Sequence, residues 1–176
     1  MSIILIKGDM WSGKTTELLR RIDRAHYAGQ QTILYKYSKD VRYGENRAFM
    51  VSSHGGIHRN AIPIDSLAEV PIIPGTVIGI DEGQFIDHLV EFAESAANQG
   101  CTVLITALSS DFKRELFPRI AQLIPKCEDE ILLHAVCFDC KKDAGFTRRI
   151  VESGELELIG GKDEYKAVCR RCYSKK

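Results

Sequence analysis

The sequence predicts an α/β fold: a parallel sheet flanked by helices, followed by a small metal-tied β subdomain. Three observations predict it. Short unbroken apolar runs alternate with amphipathic helical patterns. The string Gly8-Asp9-Met10-Trp11-Ser12-Gly13-Lys14-Thr15 sits between the first apolar run and the first helical pattern. Two Cys-x-x-Cys pairs are confined to the C-terminal part.

Residues 3–6, Ile-Ile-Leu-Ile, read as a strand buried on both faces. Leu18, Leu19, Ile22 and Ala25 then recur at helical spacing, and Gly29 stops that helix. Residues 32–35 form the next strand, and residues 36–60 read as mostly loop because they are polar and weakly patterned. Residues 77–80 are another buried strand. Asp87 is expected to cap a helix whose apolar face is Leu89, Val90, Phe92, Ala93 and Ala96, ended by Gly100. Residues 101–106 are a further strand, in which Cys101 reads as core. Alternation at this pace implies βαβ units and a parallel sheet. After Pro125 the rhythm changes to short β-like runs (131–136, 146–151 and 156–159) among cysteines. The expected division is therefore an α/β nucleotide-binding domain over residues 1–127 and a zinc-binding subdomain over 128–176.

Composition narrows the function classes. The chain has 176 residues, with 24 Lys+Arg balancing 24 Asp+Glu, and 44% apolar residues. That suits a globular domain and speaks against a nucleic-acid binder, which would carry a basic excess. No apolar run reaches the roughly 20 residues of a membrane span. The N-terminus reads as a strand and not as a signal peptide. The expectation is a cytoplasmic protein with reduced or metal-bound cysteines and with neither nucleic-acid nor membrane partners.

Residues 8–15 match G-x-x-x-x-G-K-[ST] at every fixed position. Glycines let the backbone curl so that its N–H groups meet phosphate oxygens, and the following helix N-terminus adds positive potential. Lys14 would reach the terminal phosphates and the Thr15 hydroxyl would ligate Mg²⁺. This makes the first domain P-loop NTPase-like, a nucleotide-binding fold. Asp9 is unusual, since a carboxylate in an anion-binding loop opposes phosphate unless it points outward, and outward is the expectation.

A second nucleotide element belongs at the carboxyl end of another parallel strand. Val77-Ile78-Gly79-Ile80-Asp81-Glu82 supplies it, with Asp81 toward Mg²⁺ and Glu82 as a base toward the nucleophile. With water as nucleophile the chain would be an ATPase or motor; with a hydroxyl, a kinase. Motors of the helicase type generally need two such folds, so a small-molecule kinase fits better. Cys137-x-x-Cys140 and Cys169-x-x-Cys172, separated by 28 residues (141–168), have the pattern of a closed structural zinc site. Such a clamp would tie the base of a lasso loop able to close over substrate. A zinc-ribbon nucleic-acid or scaffold module is the competing reading of these cysteines alone.

The phosphate loop, Asp81-Glu82-Gly83-Gln84-Phe85, Ala107-Leu108…Asp111-Phe112 and Glu157-Leu158-Ile159-Gly160-Gly161…Tyr165…Cys169-Arg170-Arg171-Cys172-Tyr173 together resemble the small, zinc-containing (type II) thymidine kinases, most of all the short viral members. The resemblance runs nearly end to end. It implies transfer of the ATP γ-phosphate to the 5′-hydroxyl of thymidine, giving dTMP in salvage, by a homotetramer inhibited by dTTP. It also implies that Glu82 is the catalytic base, that Asp81 and Thr15 are magnesium-linked, and that Asp40, Arg42 and Gln84 lie near the nucleotide. Met10, Phe85, Leu108, Phe112, Thr147 and Tyr165 match pocket positions, and Leu156, Glu157, Leu158, Ile159 and Gly160 match the segment whose main chain meets the pyrimidine. Two loop residues depart from the family pattern: Asp9 stands where proline is usual, and Trp11 where Phe or Tyr is usual.

Overall fold

The computed structural model describes residues 1–40, 49–52, 56–151 and 164–174. The chain begins with β1 (Ser2–Gly8), passes through the phosphate loop into α1 (Lys14–Tyr27), and returns as β2 (Thr32–Tyr37). Short strands β3 (Met50–Ser52), β4 (His58–Asn60) and β5 (Ile62–Ile64) precede β6 (Val77–Asp81), α2 (Leu89–Asn98) and β7 (Thr102–Leu108). Then come α3 (Pro118–Leu123) and β8 (Asp129–Leu133). The remainder is β9 (Ala135–Val136), β10 (Asp143–Ala144), β11 (Phe146–Arg149), β12 (Tyr165–Val168) and α4 (Arg170–Tyr173).

The main sheet has the order β5-β2-β6-β7-β1-β8, and every pairing in it is parallel. Its central strands β1, β6 and β7 are largely apolar because both faces are covered. On one face Leu5, Ile80, Val103 and Ile105 meet Leu89, Phe92, Ala93, Ala96, Ile120 and Leu123. On the other, Ile6, Leu34, Val77 and Leu104 meet the expected α1 stripe of Leu18, Leu19, Ile22 and Ala25. Cys101 is fully buried in the first of these cores, as expected.

Three expectations change. Residues 36–60 are less loop-like than their polarity suggests: β2 continues to Tyr37, and β3 and β4 pair antiparallel. Three-residue strands are too short to show a period, and the edge strand β5 was hidden for the same reason. Asp87 does not cap α2, because His88 occupies the N-cap in a left-handed conformation without a side-chain cap. The Asp87 carboxylate instead pairs with Arg119. Finally, the sheet continues past residue 128: β8 lies beside β1 as the sixth strand, so only residues beyond Leu133 form the small subdomain. Among the described residues that subdomain is built from two antiparallel pairs, β9–β10 and β11–β12, with α4 closing it. Among the described residues no helix is long and apolar enough to cross a membrane.

Candidate active site

The carboxyl ends of β1, β6 and β7 lie side by side in the sheet, which brings the phosphate loop, Asp81-Glu82 and Leu108 to one rim. Gly8 must be glycine there, since an added Cβ would stand 2.4 Å from the Leu133 carbonyl oxygen and 2.5 Å from Ser12 Oγ. Gly13 takes φ of 88°, the left-handed turn that starts α1. Lys14 is buried and folds back over the loop, its Nζ donating to the Asp9 carbonyl at 2.9 Å.

Asp81 and Glu82 are both buried. The Thr15 hydroxyl donates to Asp81 across the crevice, 3.3 and 3.4 Å from the two carboxylate oxygens. Hydroxyl and carboxylate oxygens this close are hard donors that suit a magnesium ion. Glu82 leaves the strand in the left-handed region (φ 56°), a conformation that persists only where the surroundings hold it. They do so at two points. Its N–H donates to Thr106 Oγ1 at 3.1 Å, and its Oε2 accepts from Gln84 Nε2 at 2.7 Å. Gln84, expected near the nucleotide, thus has its amide engaged within the site, the carbonyl oxygen also accepting from the Leu108 N–H at 3.3 Å.

Thr106 is the residue that sequence reasoning missed. It is fully buried, donates to Asp81 Oδ1 at 2.5 Å and accepts from Glu82, so one hydroxyl orients both acids. Its signal was a polar side chain at the carboxyl end of an apolar parallel strand. Lys36 is a second: buried, in register with Asp81, its Nζ donates to the Asp40 carbonyl at 2.8 Å. Asp40 is likewise buried, whereas Arg42 and residues 156–160 lie outside the described residues.

Asp9 overturns its expectation. It is not turned outward but is only 2% exposed, and burial pushes its carboxyl above the usual range, countered by Lys14, His134 and Thr147. The two distant groups come from the small subdomain, but burial outweighs them, and Asp9 Oδ1 has no hydrogen-bond partner among the described residues.

The other expected pocket residues divide. Met10, Thr147 and Tyr165 are buried, and Leu108 is half-buried at the end of β7. The Arg149 guanidinium lies over Phe112 at 5.1 Å and over Tyr165 at 5.8 Å, gathering those two rings. Tyr173 Oη donates to the Phe112 carbonyl at 2.7 Å. Phe85 instead joins an aromatic group with Tyr37 and Phe117, at centroid distances of 5.3 and 5.8 Å.

Cys137, Cys140, Cys169 and Cys172 bring their four sulfurs within 4.8 Å of one another. Four thiolates at about 2.3 Å from a tetrahedral ion would stand nearly 4 Å apart, so the cluster fits zinc in a closed, structural site. Burial raises the Cys137 thiol, but backbone N–H groups, including that of Cys169 at 3.3 Å, outweigh it and bring it down to about 6. Cys127 is different: burial pushes its thiol up to about 11, and it donates to the Leu123 carbonyl.

A phosphate loop facing a paired acid at a parallel-sheet rim defines a P-loop nucleotide-binding protein. Residues 1–173 match the thymidine kinase family model. Thymidine kinase 1 of Dictyostelium discoideum is 47% identical over 176 residues, covering 98% of this chain and 77% of the relative. The thymidine kinase of Sheeppox virus is 46% identical over 173 residues, covering 97% and 96% respectively. The cytosolic thymidine kinase of Gallus gallus is 43% identical over 176 residues, covering 99% and 77%. The chain belongs to the thymidine kinase family.

Proposed function

We propose that this chain transfers the γ-phosphate of ATP to the 5′-hydroxyl of thymidine, releasing dTMP and ADP, as a cytoplasmic salvage enzyme. The observation that supports this most strongly is the convergence of Lys14, Thr15, Asp81 and Glu82 at one rim, in a chain matched to the family over residues 1–173. Glu82 takes the proton of the 5′-hydroxyl as its oxygen bonds to the γ-phosphorus and the bond to the bridging β,γ-oxygen breaks. Thr106 and Gln84 hold Glu82 and Asp81 in place for that step. Lys14 and the loop N–H groups stabilise charge on the phosphates. Thr15 and Asp81 would hold Mg²⁺, which when bound neutralises phosphate charge.

Met10, Leu108, Phe112, Thr147 and Tyr165 line the thymidine end, with Phe85 backing it through its aromatic neighbours. Arg42 and the main chain of residues 156–160 complete the site in this reading. The four cysteines hold zinc as a structural ion. Family likeness extends the proposal to a homotetramer inhibited by dTTP.

A nucleoside panel tests the substrate. With Mg²⁺-ATP, thymidine should be phosphorylated in preference to deoxycytidine and deoxyguanosine, with deoxyuridine closest behind, because a methyl-sized pocket discriminates by only about 1–3 kcal/mol. ATP turnover indifferent to any nucleoside would defeat the kinase reading.

A further inference from the structure

The phosphate loop is attached to more than the sheet. Trp11 is half-buried and packs against the core of the cysteine subdomain, made of Ala135, Cys137, Ala144, Ala167, Val168 and Cys172. Two residues earlier Asp9 is buried, and the groups that act on its carboxyl include His134 and Thr147 of the same subdomain.

Trp11 also has φ of 62°, a left-handed conformation unfavourable for a residue with a bulky side chain. Such a conformation needs outside support. The subdomain core supplies such support, and two of the residues in that core, Cys137 and Cys172, belong to the four-thiol cluster. Alanine, valine and cysteine bury little apolar area, so this core depends on its metal for order. Loss of the metal would remove the surface on which the indole rests.

We infer that Trp11 is a positioning residue that clamps the phosphate loop to the cysteine subdomain, so that binding of the donor nucleotide depends on the metal-organised state of that subdomain. The inference rests on reading Gly8–Thr15 as the ATP site. Its logic is mechanical: Trp11 lies three residues before Lys14, and the loop N–H groups bind phosphate only while the backbone between Gly8 and Gly13 keeps its shape. A ring that merely filled space would affect stability without separating the two substrates.

Trp11 is the only tryptophan in the chain, so its emission reports this contact directly. In the full-length zinc-loaded protein, Trp11→Ala should weaken Mg²⁺-ATP binding and raise the KM for ATP by roughly tenfold. The KM for thymidine should change little, and Trp11→Phe should recover most of the loss. In the wild-type protein, stepwise zinc chelation should shift Trp11 emission to the red and weaken ATP binding in parallel, while far-ultraviolet circular dichroism keeps the signal of the α/β body. If Trp11→Ala fails to fold, the chelation series and Trp11→Phe decide; if chelation unfolds the body, the two variants decide. Wild-type ATP affinity in Trp11→Ala, or chelation that leaves both emission and affinity unchanged, would overturn the inference. Lys14→Ala separates it from the reading beneath: ATP affinity retained there would defeat the donor site itself. Affinity lost in Lys14→Ala but kept in Trp11→Ala would defeat only the coupling.

Discussion

The α/β body encloses Leu5, Ile80, Leu89, Ile105, Ile120 and Leu123 without solvent contact, whereas among the described residues the buried cluster around the four cysteines is made of small side chains, Ala135, Ala144, Ala167 and Val168 with Cys137 and Cys172, and Tyr165 is the large buried side chain of that subdomain. Each fully buried large side chain contributes about 1.5–3 kcal/mol, so a body with many of them holds itself together. The subdomain has alanines and thiols in those places, and its aromatic residues Phe146 and Tyr173 are only partly buried. Binding of a structural zinc ion is worth about 10–16 kcal/mol in small peptides, which is the scale needed to replace a missing core. One chain therefore uses two means of folding, and the phosphate loop lies on the seam between them.

The largest effect should come from breaking the metal site. Cys137→Ser should abolish the stoichiometric zinc content of about one ion per chain and expose residues beyond Leu133 to proteolysis, while the body keeps its helical signal. A zinc-free protein with a protected subdomain would show that apolar packing is enough there. Next, Ile105→Ala should destabilise the body by about 2–5 kcal/mol in denaturant while zinc content stays at its full value. Loss of zinc in that variant would mean that the two regions fold as one unit.

The smallest effect concerns the seam. Burial raises the Asp9 carboxyl above its unfolded value, so the folded state keeps the proton longer than the unfolded state does. Stability contributed by the protonated form is present at acid pH and is lost as pH rises from about 4 through the raised value. Asp9→Asn should lack that loss, gaining on the wild type in chemical denaturation as pH rises toward neutrality. Parallel pH profiles for the two proteins would remove Asp9 from the seam.

What could be read from the sequence follows the same division. β1, the phosphate loop, α1, β6 and β7 were legible because each concentrates its signal in a few adjacent residues: an apolar run, a glycine-lysine string, a helical stripe. The four cysteines were legible because metal ligation fixes their spacing. The inward turn of Asp9 is not legible in the loop itself, because groups that act on its carboxyl, His134 and Thr147, lie more than a hundred residues away. Thr106 was hidden inside an apolar strand, and its role is visible only once β6 and β7 are paired. β8 looked like part of the appendage because its burial is partial at a sheet edge, where an apolar run is short and broken.

The central claim is that Glu82 serves as the base for phosphate transfer from ATP to thymidine. Glu82→Gln keeps the size and leaves an amide able to meet Gln84 while removing the proton acceptor. The decisive measurement is transfer of labelled γ-phosphate to thymidine by this variant, with Mg²⁺-ATP binding measured on the same sample. The account predicts ATP binding close to that of the wild type and a kcat lower by about 10²–10⁴-fold. A Glu82→Gln enzyme that still made dTMP at the wild-type rate would contradict it.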